Sequence, residues 1–167
     1  MHRVHDIVKP WHASYRIEKF ADLEAFERGE AFAVEEFDEN VALNVGKAEI
    51  WDLVIGASVN HFDSTNTRLG VGDSTTAAAN TQTDLLAATN KTYKTCDVGY
   101  PIQATTTTTD DTFQARATFG GAEANHGWKE FVVKNNASGI CLNRKVDDKG
   151  TKSAGQIWIL TVSIASS

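Results

Sequence analysis

Few residues in this chain have types and spacing that could do chemistry. Gly70-Val71-Gly72-Asp73-Ser74-Thr75 has the flavour of a phosphate loop, in which glycines let backbone N–H groups close on an anion. The rest of that pattern is missing: no Gly-Lys-Ser/Thr ending, no third glycine at the dinucleotide spacing, no apolar helix directly after. The two glycines therefore read as a bend or a close approach within a strand. His2, His5 and His12 stand near Asp6. A metal centre needs three or four convergent ligands held by a second layer of contacts, which a chain terminus seldom supplies. No metal or cofactor is expected. His126 lies where a loop meets a strand, with no oriented neighbour to make it a general base. Asp110-Asp111 and Asp147-Asp148 lack the spaced acidic pattern of a calcium loop and read as turns. Cys141 falls in a strand pattern with no histidine nearby, and with Cys96 it is expected to stay a reduced thiol. No G-x-S-x-G elbow occurs, and no carboxylate pair stands out as the acid and base of a glycan hydrolase. The chain is not expected to be an enzyme.

Composition sets the next bounds. The chain has 167 residues, 41% hydrophobic and 23% charged, enough to bury a core without disulfides. No run approaches the roughly 20 apolar residues of a membrane span. The start, Met1-His-Arg-Val-His-Asp6, lacks the apolar stretch of a secretory signal, so synthesis in a cytoplasm is expected. For that reason the sequons at Asn90 and Asn136 are discounted. The net charge of −6 is uneven. Residues 1–16 carry three basic and one acidic side chain (+2), residues 17–39 two and nine (−7), and residues 40–167 eleven and twelve (−1). Such an acidic stretch repels nucleic acid, and no basic stripe with interleaved aromatics appears.

The elements that must position these residues follow from periodicity. Residues 1–39 combine long charged side chains with isolated large anchors: Trp11, Tyr15, Phe20, Phe26, Phe32 and Phe37. Phe20, Leu23 and Phe26 recur every three residues before Gly29, which predicts a short helix within Lys19–Arg28. Anchors along a charged stretch suit an extended N-terminal arm, residues 1–39, that docks on another surface. The same aromatics could instead cover the domain's own sheet, since they do not say whose pocket they fill. Asn44 and Gly56 bracket a second helix over Val45–Ile55, whose Ile50, Trp51, Val54 and Ile55 should bury as one stripe. A third, weaker helix pattern covers Thr83–Ala88.

The remainder reads as strands. Phe113, Ala115, Ala117 and Phe119 alternate with Gln114, Arg116 and Thr118, and residues 101–119 form a hairpin around Asp110-Asp111. Asn135–Gly139 has turn chemistry between Trp128–Lys134 and Ile140–Val146. In the last strand, Gln156–Ala165, Trp158, Leu160, Val162 and Ile164 share one face. Ile157 and Ile159 on the other face suggest a second layer over one end. The pattern is mainly β: an antiparallel β-sandwich over residues 40–167, with one or two short helices and the arm before it.

Several segments carry a resemblance. They are Asn40-Val-Ala-Leu-Asn44-x-Gly46 with its apolar helix, and Phe62-Asp63-x-x-Asn66-x-Arg68-Leu-Gly-Val-Gly-Asp-Ser-Thr-Thr76. Then come Gln82-Thr-Asp-Leu85, Gly99-Tyr-Pro101 and Phe119-Gly-Gly-x-Glu123-Ala-Asn125. The series ends with Trp128-x-Glu130, Leu142-Asn-Arg144, Gly150-Thr-Lys152 and Trp158-x-Leu-Thr-Val162. In this order the chain resembles a family of small structural proteins of tailed bacteriophages, and its opening is similar to that of tail-collar fibre proteins. The resemblance implies a place in the virion, on a capsid as a decorating or cementing protein or in the tail, collar or fibre. It implies the major capsid protein or tail and neck proteins as partners, and a small homo-oligomer. Trp11, Tyr15, Phe20, Phe26, Phe32 and Phe37 would be the interface anchors. A carbohydrate-binding module touching a host glycan is the competing class, because exposed aromatics stack on sugars.

Overall fold

The computed structural model describes residues 11–104 and 112–165. Two five-stranded antiparallel sheets face each other, as the alternating patterns require. The first has the order β2 (Ala33–Asp38), β1 (His12–Phe20), β10 (Ile157–Ala165), β7 (Thr112–Phe119), β6 (Ile102–Ala104). The second has the order β3 (Val41–Ala42), β9 (Cys141–Val146), β8 (Glu130–Asn135), β4 (Thr67–Gly72), β5 (Lys91–Thr95). Two short helices complete the fold, α1 (Leu23–Glu27) and α2 (Asn44–Val54). The Thr105–Thr109 run and the Asp110-Asp111 turn lie outside the described residues, as do His2, His5 and Asp6. Thr83–Ala88 is irregular rather than helical.

The core sits between the sheets. On β10, Trp158, Leu160, Val162 and Ile164 point inward, opposite Phe119, Ala117, Ala115 and Phe113 of β7 and Lys19, Ile17, Tyr15 and Ala13 of β1. Small alanines beside large side chains let this layer interdigitate with Leu69, Val71, Phe131, Val133 and Leu142 of the other sheet. Trp128 packs edge-on against both Phe119 and Trp158. The outer face of β10 is covered at one end, as Ile157 and Ile159 foretold. They form a second cluster with Phe20 and Ala25, and Phe26 closes over it from α1.

One boundary differs from the sequence reading. Residues 12–38 are not an arm. Strand β1 runs between β10 and β2, pairing along its whole length with the C-terminal strand. Tyr15, Ile17 and Phe20 are core residues. The physical reason is the period-2 alternation of Ala13, Tyr15 and Ile17, which demands a covered face that this chain's own second sheet provides. Removing residues 1–39 would take two strands and these side chains out of the sandwich.

Sheet two is covered on both faces, so its strands β4, β8 and β9 are almost wholly buried. The outer cover is irregular chain, residues 73–90, together with the start of α2. Leu43, Leu85, Val132 and Cys141 pack in this layer. Such a layer has many backbone groups to satisfy, and one buried ion pair does much of it. Glu130 and Arg144, both fully buried, meet at 2.7 Å. Leu86 N and Ala87 N donate to the Glu130 carboxylate at 2.9 and 2.7 Å. Arg144 Nη1 donates to Thr76 O at 3.0 Å and to Gln82 Oε1 at 2.9 Å. A Cβ on Gly72 would run into the Glu130 side chain, so the glycine makes room for the clamp. Asp84 forms a second clamp, accepting from Leu85 N at 2.8 Å, from Tyr93 Oη at 2.6 Å and from Lys134.

Two outcomes follow. Glu130→Gln leaves Arg144 buried without its counter-charge. It should lower the unfolding free energy by about 3–5 kcal/mol, a fall in Tm on the order of 10 °C at this chain length. Calorimetry reads it, and a loss below about 1 kcal/mol would contradict the clamp. The second concerns acid. Burial alone would raise the Asp84 pKa, but hydrogen bonds from Lys134, Tyr93 and the Leu85 amide outweigh it and hold the carboxyl below its ordinary 3.8. A depressed folded pKa contributes stability above the unfolded value, and loses it as pH falls through the folded one. The wild type should therefore lose stability progressively below about pH 4, and Asp84→Asn should flatten that limb in a pH series of denaturant midpoints.

Candidate functional site

The polar residues most suggestive of chemistry are spent on architecture. Lys152 is buried, and its ammonium donates to Gly120 O, Glu123 O and Asn125 Oδ1 at 2.7, 2.9 and 2.9 Å, closing the loop after β7. Burial pushes its pKa down, and the nearby Glu123 carboxylate counters this. Asn135 donates to Asn60 O and His61 O and accepts from Ala137 N and Ser138 N, fixing two turns at once. His126 has a partner that the sequence did not reveal. In the neutral ring its Nδ1–H donates to Gly127 O at 2.9 Å, because a carbonyl only accepts, and Nε2 accepts from Thr92 Oγ1 at 3.1 Å. Asp148 caps its own turn through Gly150 N. Both cysteines are free, and burial pushes the Cys96 thiol up to about 11 and the Cys141 thiol higher still. Neither presents a thiolate at neutral pH. Gly70 and Gly72 lie in β4, where Gly70 admits the Val132 and Tyr93 side chains. Among the described residues, no three His, Cys, Asp or Glu side chains converge as metal ligands. No helix among them is long and apolar enough to cross a membrane.

Of the concavities among the described residues, two bear on the first sheet. One, of about 480 Å³, lies on the outer face of the first sheet and is walled by Ser14, Arg16, Glu36, Asp38, Gln114, Thr161 and Ser163. It is polar, and Arg16 is already paired to Glu18 and Glu36. The other, of about 190 Å³, is apolar and lies at the end of the sandwich among Trp11, Ile50, Phe62, Phe113, Leu142 and Ile164.

The feature with functional content is helix α2, because it is inverted. Its inward side presents Gly46 and the buried Glu49. A Cβ on Gly46 would stand 2.5 Å from Leu142 Cα, so the glycine lets the helix sit directly on β9. Glu49 accepts from Ser58 Oγ at 2.7 Å. The outward side carries Ala48, Trp51, Val54 and Ile55, at helical spacings of three and four residues. Trp51 is 67% exposed, Val54 68%, Ile55 74% and, just beyond the helix, Val59 79%. The stripe expected to bury within the domain thus faces solvent, except for half-buried Ile50. The reason is local: once Gly46 and Glu49 face β9, a rotation of about 100° per residue turns Trp51 and Ile55 away. Together these side chains expose a few hundred Å² of apolar surface, the size of the largest patch a typical monomer carries, about 300–600 Å². Only Lys47 and Asp52 bring charge to this side of the helix.

The six aromatic anchors divide. Tyr15 and Phe20 are buried in the chain's own core. Phe37 stacks on Tyr15 at 4.9 Å, and Phe26 packs edge-on against Phe20 at 5.3 Å. Trp11 is half-buried against the apolar pocket. Phe32, 55% exposed, is the one of the six on the surface. The exposed tryptophan is Trp51, which the anchor set omitted; the burial of a glutamate on one side of α2 was a signal that no periodicity count weighs. Trp128 and Trp158 are buried.

No family model, curated protein or solved structure matches the chain.

Because the outward α2 side chains touch little of their own domain, Trp51→Ser with Ile55→Ser should change the unfolding free energy by no more than about 0.5 kcal/mol. Gly46→Ala, which must push β9 aside, should cost about 1–3 kcal/mol. Denaturant titration of the two variants checks this ordering, and the reverse ordering would show that α2 packs the other way.

Proposed function

We propose that this chain is a non-catalytic structural protein of a tailed-phage particle, held on the particle by the outward face of α2. The capsid surface, made by the major capsid protein, is the first partner; the tail and neck proteins are the second. One observation carries the reading: α2 buries a glutamate and leaves Trp51, Val54 and Ile55 in water. A solitary domain has no physical reason to orient a helix this way, whereas a docking face needs such a cluster at its centre. The resemblance of residues 40–165 to virion proteins supports the choice of partner. The network of buried clamps supports the rigid body such a role needs. The apolar patch is large enough to be the core of a standard interface, about 800 Å² per partner once a polar rim is added.

The docking face is therefore not the arm of residues 1–39, most of whose aromatics hold the sandwich together. The carbohydrate-binding alternative draws on the polar groove outside the first sheet, but the two aromatics of its lining, Tyr15 and Phe37, stack on each other and pack into the core rather than offering a free platform to a sugar ring.

The test is binding of purified protein to particles that lack it, capsids and tails separately, read by electron microscopy and sedimentation. Wild type should bind capsids, and Trp51→Ser should weaken binding by at least about thirtyfold, as for a hot-spot residue. Binding only to tails would move the protein to the neck or fibre. Undiminished binding of the variant would remove α2 as the docking face, and no binding to either would end the virion reading.

A further inference from the structure

The face that α2 leaves in water has a self-complementary order of residues. Trp51 is the centre of the outward side. At about 100° per residue, Ile55 and Ala48 lie roughly 40° and 60° to one flank of it, and Lys47 and Val54 roughly 40° and 60° to the other. Along the axis, Lys47 and Ala48 stand about one turn before Trp51, and Val54 and Ile55 about one turn after. Each of these residues is exposed.

A two-fold axis at Trp51 that sets two copies of α2 antiparallel keeps each flank on its own side. Ala48 then meets Ile55 of the second copy at nearly the same height, a small residue against a large one, which lets the helices approach closely. On the other flank the aliphatic stem of Lys47 lies over Val54 of the second copy, and its ammonium extends past it. There it meets the C-terminal end of the other helix. α2 has no basic residue in its own last turn, so its last carbonyls lack the cation that suits them. A parallel pair loses both gains. It aligns the two helix dipoles and brings the two Lys47 side chains to one level.

Charge also selects a second copy. A chain of net charge −6 resists self-association through most of its surface. On the α2 side Lys47 and Asp52 offset each other, so two copies meet there without that repulsion. Area sets the strength. A few hundred Å² per copy is well under the roughly 800 Å² per partner of a standard interface, which makes the pair weak and reversible.

From this order of residues and charges we infer that two free copies pair through their α2 faces, antiparallel and two-fold symmetric about Trp51. The inference rests on the reading of α2 as a docking face and adds its regulation: pairing and docking use the same side chains and exclude each other.

The full-length chain tests it with no particle present. In sedimentation the wild type should show a dimer that grows with concentration. Trp51→Ser should weaken pairing at least about tenfold, and Lys47→Glu at least about threefold. Register is read by mixing chains that carry Ala48→Cys with chains that carry Ile55→Cys. Mild oxidation should link the two kinds to each other, because positions 48 and 55 lie opposite across the pair. Like positions lie roughly 9–12 Å apart along it and should not link. The native thiols are buried or half-buried and should leave the wild type unlinked. A wild type monomeric up to about 1 mM, or like-with-like links as abundant as mixed ones, would overturn the inference. A monomeric wild type that still binds particles through Trp51 overturns the pairing alone. A wild type that pairs in this register but binds no particle upholds the pairing and ends only the docking reading.

Discussion

The buried pair of Glu130 and Arg144 is the constraint around which the second sheet is organised. Two charges taken fully out of water carry a desolvation penalty that their mutual attraction alone seldom offsets. Here each also satisfies backbone or amide groups of residues 76–87, chain with no regular hydrogen bonding of its own. The pair thus substitutes for the secondary structure that this layer lacks. Other features depend on it. Gly72 has no side chain because the Glu130 side chain fills that space, and Leu85 reaches Val132 because its neighbours are pinned. Lys152 and Asn135 repeat the device at other loops.

This explains why the sequence looked full of motifs and empty of chemistry. Gln82, Asp84, Glu123, Asn125, Glu130, Arg144 and Lys152 all lie in the motif-like segments of residues 40–165. In the structure each hydrogen-bonds or pairs within the protein itself. Polar residues at irregular spacing are what loop clamps require, because their partners are backbone groups brought together only by the fold.

Legibility followed the same line. Where one periodic face met one core, the residues announced it: the alternations in β7 and β10 and the turn at Asn135–Gly139 stand as expected. The extra cover over Ile157 and Ile159 is there too, supplied by α1. The mistakes arose where a pattern has a period but no direction. Tyr15, Phe20 and Phe37 alternate or recur plainly enough. That Tyr15 and Phe37 face their own second sheet, and Phe20 the cover supplied by α1, follows from β1 pairing with β10, a contact across more than a hundred residues. Helix α2 shows the same ambiguity. Its apolar residues form a stripe, but Gly46 and Glu49 on the opposite side decide which way it turns, through a backbone contact and one hydroxyl. The cover that residues 73–90 form over sheet two has no sustained period, and its one weak helix pattern, Thr83–Ala88, is irregular chain, so nothing local could reveal it.

The apolar surface left in water has consequences for assembly. The α2 face is apolar and nearly neutral, so its attraction is short-ranged and insensitive to salt. Were several copies brought together on one surface, as the proposed docking would require, their weak α2 contacts would act as one strong attachment, through effective concentration rather than through any new contact.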